Sequence, residues 1–508
     1  MSAIKYLFQA GNYISKVEDT LYGSFVEHLG RAVYTGIYEP GHPCADENGF
    51  RTDVAKLIQE LKVSTVRYPG GNFVSGYNWT DGIGPKEQRP VRLDYAWLSK
   101  ETNEFGIGEF YKWSQKFGVE PMVAVNMGTG TPQEAGYFVE YTNIAGGTYY
   151  SDLRKQHGFD QPFNFKYWCV GNEMDGPWQT CHLEAHEYAR KAHEAAKIMH
   201  WVDPSIKLIA CGSANTMLPS YPEWDRVVLE EVYDDIYCLS CHHYFENSTG
   251  NLNDFLASYV LMDNFIHTIT STADFVKAKL RSKKDMMISF DEYNIWDIEG
   301  EPWMNYFEDP SHRFTKAPPL LEQHYKFVDA LVLGGLLCTL INHCDRVKMA
   351  SLAQLVNVIA PIFTQPNGAV IKQTIFYPFK WVSLYGRGKA LRYFANVPCI
   401  ETVHGQTKTL QSAAVYNEES KEIAFFVLNL DQHHEQEISF VLDGFGKVEL
   451  FDHQELSGYE PNAMNTFTQP DAVTPKTTPI SAAEKESLTV KVPAMSFNLY
   501  RLKIEGEL

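Results

Sequence analysis

Between residues 20 and 385 the chain alternates short apolar runs with longer amphipathic stretches. Eight runs have strand character: SFVEHLG (24–30), STVRYPGG (64–71), PMVAVNMG (121–128), FKYWCVGNE (165–173), KLIACGS (207–213), DIYCLSCHHY (235–244), MMISFDEYN (286–294) and KMASLAQLVN (348–357). Most open on β-branched or aromatic residues and close on polar residues or glycine. Such near-continuous apolar runs suit strands buried on both faces. Between them, TDVAKLIQELK (52–62), IGEFYKWSQKFG (107–118), HLEAHEYARKAHEAAKIMHWVDP (182–204), ADFVKAKLRSKK (273–284) and HYKFVDALVLGGLL (324–337) repeat apolar residues at helical spacing. Thr52 or Asp53 is the expected cap of the first helix, Gly118 ends the second and Pro204 stops the third. Eight such units over this length predict a closed (β/α)8 TIM barrel rather than an open doubly wound sheet. No GxGxxG follows a strand and no GxxxxGK[ST] occurs, which takes support from the nucleotide-binding folds.

Beyond about residue 385 the period changes from helical to alternating. The runs 412–420, 422–431, 435–444, 447–456, 487–492 and 496–505 alternate polar and apolar residues and are separated by polar or glycine turns. They predict an all-β sandwich, jelly-roll-like in character. A Pro/Thr-rich stretch at 462–481 reads as a surface excursion between strands. The expected organisation is an N-terminal segment, 1–17, completing the sandwich, a barrel over 18–385, and the sandwich over 386–508.

The formal net charge of −19 comes without any Lys/Arg block, which argues against nucleic-acid and anionic-membrane partners. No run reaches the length of a membrane helix. The first residues lack a long apolar core and a cleavage site, so the expectation is a cytoplasmic protein with reduced thiols. The nine cysteines are scattered, and Cys169, Cys211, Cys238 and Cys338 sit among apolar residues as small buried hydrophobes. Cys238, Cys241 and His242 match the CxxCH haem pattern and half a zinc site. On a strand, however, the two cysteines face opposite sides, and no second CxxC follows. Neither cofactor nor metal is expected.

In a barrel the chemistry gathers at the C-terminal strand ends. Two of these ends deliver acids: Glu173, preceded by Asn172, after run four, and Glu292, followed by Tyr293, after run seven. Cleavage of a glycosidic bond needs such a pair, one carboxylic acid to protonate the leaving oxygen and one carboxylate to attack the anomeric carbon. A single strand-end glutamate is more often a helix cap or an ion-pair partner. Two of them, on runs four and seven, favour the catalytic reading. No GxSxG supports a serine nucleophile, and no HxH at run one supports a metal-dependent hydrolase.

Six motifs, in order, resemble the α-L-arabinofuranosidases of glycoside hydrolase family 51: GSFVEHLGRAVYTGIYEPGHP (23–43), VRYPGGNFVSGYNWTDGIGP (66–85), VGNEMDGPWQ (170–179), CHHYF (241–245), FDEYNIW (290–296) and AQLVNVIAPI (353–362). The resemblance implies double displacement with retention, Glu173 as acid/base and Glu292 as nucleophile. It further implies sugar-hydroxyl contacts from Glu27, Asn72, Asn172 and Gln354, with Arg67 orienting the nucleophile and Tyr244 donating to Glu292 or near the ring oxygen. A salt bridge to Arg67 is the alternative for Glu27, a structural role for Arg67, a turn role for Asn72, a core role for Tyr244 and a loop amide for Gln354. Packing is the first reading for Trp97, Trp178 and Trp296, with shaping of the aglycone side as the alternative, and His242 and His243 are polar strand-end residues near the site. The implied substrates are arabinose-containing oligosaccharides, and the implied assembly is a homo-oligomer, a hexamer by family resemblance. A xyloside or glucan substrate, or a non-catalytic carbohydrate-binding protein, are the competing readings.

Overall fold

A computed structural model describes residues 3–297 and 309–505. Eight parallel strands close into a barrel, in order Gly23–Phe25, Thr65–Tyr68, Glu120–Ala124, Tyr167–Val170, Lys207–Ala210, Cys238–Phe245, Met287–Ile295 and Val347–Leu352. Each falls within or beside one of the eight apolar runs. The helical readings also stand, with two adjustments. The stretch 273–284 belongs to a longer helix, Tyr259–Leu280. The first helix is flanked by Arg51 rather than capped by Thr52 or Asp53; Asp53 instead receives the Arg51 guanidinium at 2.7 Å. Gly118 adopts the left-handed conformation (φ 73°) that ends helix Ile107–Phe117. Helices Pro132–Asn143, Tyr149–Gln156 and Glu223–Val232, and the hairpin Arg92–Asp94/Ser99–Glu101, were not legible as periodic runs.

The barrel interior is filled, not hollow: Met122, Ala124, Tyr167, Cys169, Ile209, Cys238 and Met349 form one inner cluster. Cys241 belongs to the outer cluster, so the CxxCH cysteines do face opposite sides of their strand. All nine cysteines are free thiols.

The second sheet has nine strands in the order Lys476–Thr477, Lys447–Leu456, Ser496–Glu505, Glu422–Asn429, Leu410–Asn417, Gly388–Phe394, Ile4–Val17, Gln436–Asp443 and Thr489–Val492. Leu450 near one edge and Val490 at the other share a single apolar cluster, so the sheet folds over itself into a sandwich. Strand Ile4–Val17 lies between Gly388–Phe394, antiparallel, and Gln436–Asp443, parallel. The Pro/Thr-rich stretch is docked, not free: Asn465 donates to the carbonyls of Lys372 and Val473, each at 3.0 Å.

Helix Phe327–Asn342 is apolar on nearly every face because it is covered on every face. One side meets the barrel and the other meets the sandwich. A Cβ added at Gly334 would lie 2.5 Å from the Phe497 ring, so only glycine permits this approach. Among the described residues no helix is long and apolar enough to cross a membrane.

Candidate active site

At the C-terminal rim the barrel opens into a cleft of about 590 Å³. Glu27, Asn72, Glu173, Tyr244, Glu292 and Gln354 line it. Arg67 and Asn172 are almost fully buried and lie beneath the floor rather than on the wall.

Glu173 reaches the cleft through a broken strand end. After Val170 the chain turns at Gly171 (φ 97°), and Glu173 itself sits at φ 42°. A non-glycine residue held there costs on the order of 1–3 kcal/mol, a strain characteristic of functional positions. Its carboxylate accepts the indole N–H of Trp178 at 2.7 Å and meets His242 Nδ1 at 2.9 Å.

Glu292 reaches the cleft through a bulge. Ser289 pairs with Ser240, but the next pairing is Glu292 with His242, so strand seven carries one extra residue there. A bulge of this kind re-aims side chains. Here Asp291 and Glu292, neighbours that a regular strand would send to opposite faces, both meet Arg67. Arg67 Nη1 donates to Glu292 at 2.6 Å and Nη2 to the Asn172 side-chain Oδ1 at 2.6 Å, while Nε lies 3.5 Å from Asp291. Tyr244 donates its hydroxyl to the other Glu292 oxygen at 2.9 Å. An oxygen of each glutamate and a nitrogen of His242 lie within 4.8 Å of one another.

His242 is buried among three acids: Glu173 at 2.9 Å, Asp291 at 3.5 Å and Glu292 at 3.7 Å. Burial alone would strip its proton, yet Glu292, Asp291 and Glu173 together push its pKa up to about 10. Burial raises Glu292 above the usual carboxylate range, and Glu173 adds to that, whereas His242 and Arg67 pull it back. Asp291, despite burial, is held low by His242 and Arg67. The Glu173–His242–Glu292 cluster has the spacing of metal ligands. The imidazolium and the Arg67 guanidinium already supply the positive charge there, so the chemistry of the donor set does not call for a metal.

Glu27 closes the cleft at one end. It accepts the Phe73 backbone N–H at 2.9 Å, the Trp97 indole N–H at 2.8 Å and the Gln354 amide at 3.3 Å, and its own N–H donates to Gln354 Oε1 at 3.0 Å. The alternative salt bridge to Arg67 does not form. Burial is the main reason its pKa is pushed up to about 8. Gly71 makes room for it: a Cβ at that position would lie 2.2 Å from Glu27 Oε2.

Two family models match the chain, one described as an alpha-L-arabinofuranosidase 1 domain over residues 57–265 and one as an alpha-L-arabinofuranosidase C-terminal domain over residues 291–496. The Bacillus subtilis intracellular exo-alpha-(1->5)-L-arabinofuranosidase 1 is 46% identical over 498 residues, covering 96% of this chain and 97% of that one. The chain belongs to the family 51 α-L-arabinofuranosidases. A Bifidobacterium longum exo-alpha-(1->6)-L-arabinofuranosidase is 44% identical, covering 96% of this chain and 95% of its own. The solved structure of a family 51 α-L-arabinofuranosidase from Bifidobacterium longum superposes with a TM-score of 0.93 at 41% identity, covering 99% of this chain and all of that one.

Several residues of this family 51 site escaped the sequence reading. Trp97, Trp178 and Trp296, read first as packing with the aglycone side as the alternative, all line the cleft, and the first two make hydrogen bonds to its acids that the sequence did not show. Trp97 rides on the short hairpin, which a buried Glu101–His28 contact of 2.8 Å ties to the segment that follows strand one. His242 was legible only as a polar strand end, and Asp291 was hidden by the bulge.

Proposed function

We propose that the protein is a retaining, exo-acting α-L-arabinofuranosidase that removes terminal arabinofuranosyl units from arabino-oligosaccharides. The observation that carries this is the carboxylate pair, with oxygens within 4.8 Å, set in a cleft closed behind by Glu27 and Gln354. Retaining glycosidases separate their carboxyl groups by roughly 5–5.5 Å and inverting ones by roughly 6.5–9.5 Å. The close spacing lies on the retaining side of that divide and supports direct attack by a carboxylate.

In this reading Glu292 attacks the anomeric carbon as the bond to the leaving oxygen breaks and Glu173 passes its proton to that oxygen. Water then attacks the same carbon, gives its proton to Glu173 and frees the Glu292 carboxylate. Arg67 and Tyr244 donate to Glu292 and favour its ionised, attacking form. Arg67, Asn172, Asp291 and His242 act as positioning residues. Glu27, Asn72 and Gln354 bind the hydroxyls of one furanose, and the blind end supports exo-cleavage over binding along a polymer. Trp178 and Trp296 border the leaving-group side.

The names of the relatives carry (1→5) and (1→6) linkages and, for the Bacillus protein, an intracellular address, which favours short imported oligosaccharides. A homo-oligomer belongs to the same reading, and sedimentation tests it. The functional test is product analysis on linear (1→5)-arabino-oligosaccharides, (1→6)-linked disaccharides and aryl xylosides. Single arabinose units released stepwise from the non-reducing end support the proposal. Cleavage of the xyloside with no release of arabinose contradicts it.

A further inference from the structure

Away from the cleft, two imidazoles and a carboxylate converge where the barrel meets the sandwich. Asp263 and His267 lie one turn apart on helix Tyr259–Leu280, and His343 directly follows helix Phe327–Asn342. His343 Nε2 is 2.7 Å from Asp263 Oδ1, and His267 Nε2 is 3.7 Å from Asp263 Oδ2. One donor atom from each residue lies within 4.8 Å of the other two. The two rings meet edge to face with centroids 4.8 Å apart.

A lone His–Asp hydrogen bond is ordinary surface chemistry. Here a second imidazole is aimed at the same carboxylate and left beyond hydrogen-bonding distance. A cation at the centre would join both imidazoles to the carboxylate at once. Tetrahedral zinc, with bonds of about 2.0–2.2 Å, spaces its ligands by about 3.3–3.5 Å. The two imidazole nitrogens stand 2.7 and 3.7 Å from opposite oxygens of the Asp263 carboxylate, so side-chain rotation is what brings one oxygen and both nitrogens to that spacing. Two imidazoles with one carboxylate suit a borderline cation such as Zn²⁺ rather than Mg²⁺ or Ca²⁺, which favour oxygen-only ligands. The His267 side chain is 66% exposed, leaving solvent free to fill the remaining position.

We infer that Asp263, His267 and His343 form a binding site for a borderline divalent cation, best matched by Zn²⁺, that ties two barrel helices together where they meet the sandwich. The neighbouring contacts show what a clamp there would act on. Asn342, next to His343, donates to the Ser412 carbonyl at 2.9 Å, and Tyr259, one turn before Asp263, donates to the Lys408 carbonyl at 2.8 Å. Both partners belong to the C-terminal β region. An ion joining the two helices beside these anchors stiffens the joint without touching the cleft.

The test is titration of chelator-treated protein with ZnCl2 against a chromogenic chelator, with Tm and aryl-arabinofuranoside turnover followed in parallel. The wild type takes up one tightly held equivalent, its Tm rises and turnover is unchanged. His267→Ala, a change on an exposed helix face, and His343→Asn each weaken uptake by about tenfold or more and abolish the Tm rise. The double change His433→Ala with His434→Ala, at an unrelated exposed pair, leaves uptake intact. Three results overturn the inference: no uptake by the wild type, equal uptake by His267→Ala and His343→Asn, or uptake that tracks loss of turnover, which puts the ion at Glu173, His242 and Glu292.

Discussion

Tyr244→Phe removes one oxygen atom and tests the electrostatics of the proposed nucleophile. The lost atom donates to Glu292 Oε2 at 2.9 Å, while the ring keeps its edge contact with Trp296 at 5.3 Å. A hydrogen bond to a charged group contributes about 1.5–3 kcal/mol. One pH unit, or one factor of ten in rate, corresponds to about 1.36 kcal/mol. The sign follows from the donor's preference for the ionised carboxylate: Tyr244 lowers the pKa of Glu292, so its loss raises it. The reactive form has Glu292 ionised. The acid limb of kcat/KM, which reports the free enzyme, therefore moves up by about 1–2 pH units. At the optimum kcat/KM falls by about 10–150-fold. The assay is p-nitrophenyl α-L-arabinofuranoside hydrolysis across the pH range. An acid limb that stays in place with kcat/KM unchanged, or one that moves down, refutes the reasoning.

His242→Gln removes a cation facing three acids, and its acid limb is expected to rise further than that of Tyr244→Phe, with kcat reduced by at least the same factor, on the same pH series. Trp97→Phe deletes the indole donor to Glu27, and inhibition by arabinose should weaken by about 10–100-fold while Tm changes little. Gly71→Ala drives a Cβ into the Glu27 carboxylate, so KM for the aryl arabinofuranoside should rise about tenfold or more, whereas an unchanged KM contradicts the crowding. Asp175 has its pKa pushed up to about 7, chiefly by burial and then by Glu173 and Asp225. Its contribution to stability is therefore complete below the unfolded carboxylate pKa and lost as pH rises through about 7. Asp175→Asn should accordingly gain Tm relative to wild type at pH ~9 more than at pH ~5, and the opposite ordering by calorimetry excludes this linkage.

Much of the fold was legible because its strands are buried on both faces and so stand out as apolar runs. Glu173 and Glu292 were legible for the same reason: each is an acid at the end of such a run. What the sequence hid lies where local period fails. The bulge at Asp291 turns a residue of the opposite face inward, and no alternation pattern predicts that. His242 looks like any polar strand end until three carboxylates from strands four and seven surround it. Trp97 and Trp178 sit on connections rather than periodic elements, so their indole N–H bonds to Glu27 and Glu173 depend on loop paths set by distant contacts. Arg67 and Asn172 were expected at the site, but their burial beneath its floor follows from the barrel's packing, not from their neighbours in sequence.

The central claim is the division of labour between Glu173 and Glu292, and azide rescue tests it most directly. Glu173→Ala and Glu292→Ala are each assayed with p-nitrophenyl α-L-arabinofuranoside in the presence of azide, and the anomeric configuration of the product is read by NMR. The account predicts that both variants lose nearly all turnover without azide. With azide, Glu173→Ala yields the α-azide by attack on a covalent intermediate, and Glu292→Ala yields the β-azide by direct displacement. The reverse assignment of the two configurations, or hydrolysis by Glu292→Ala at the wild-type rate, contradicts it.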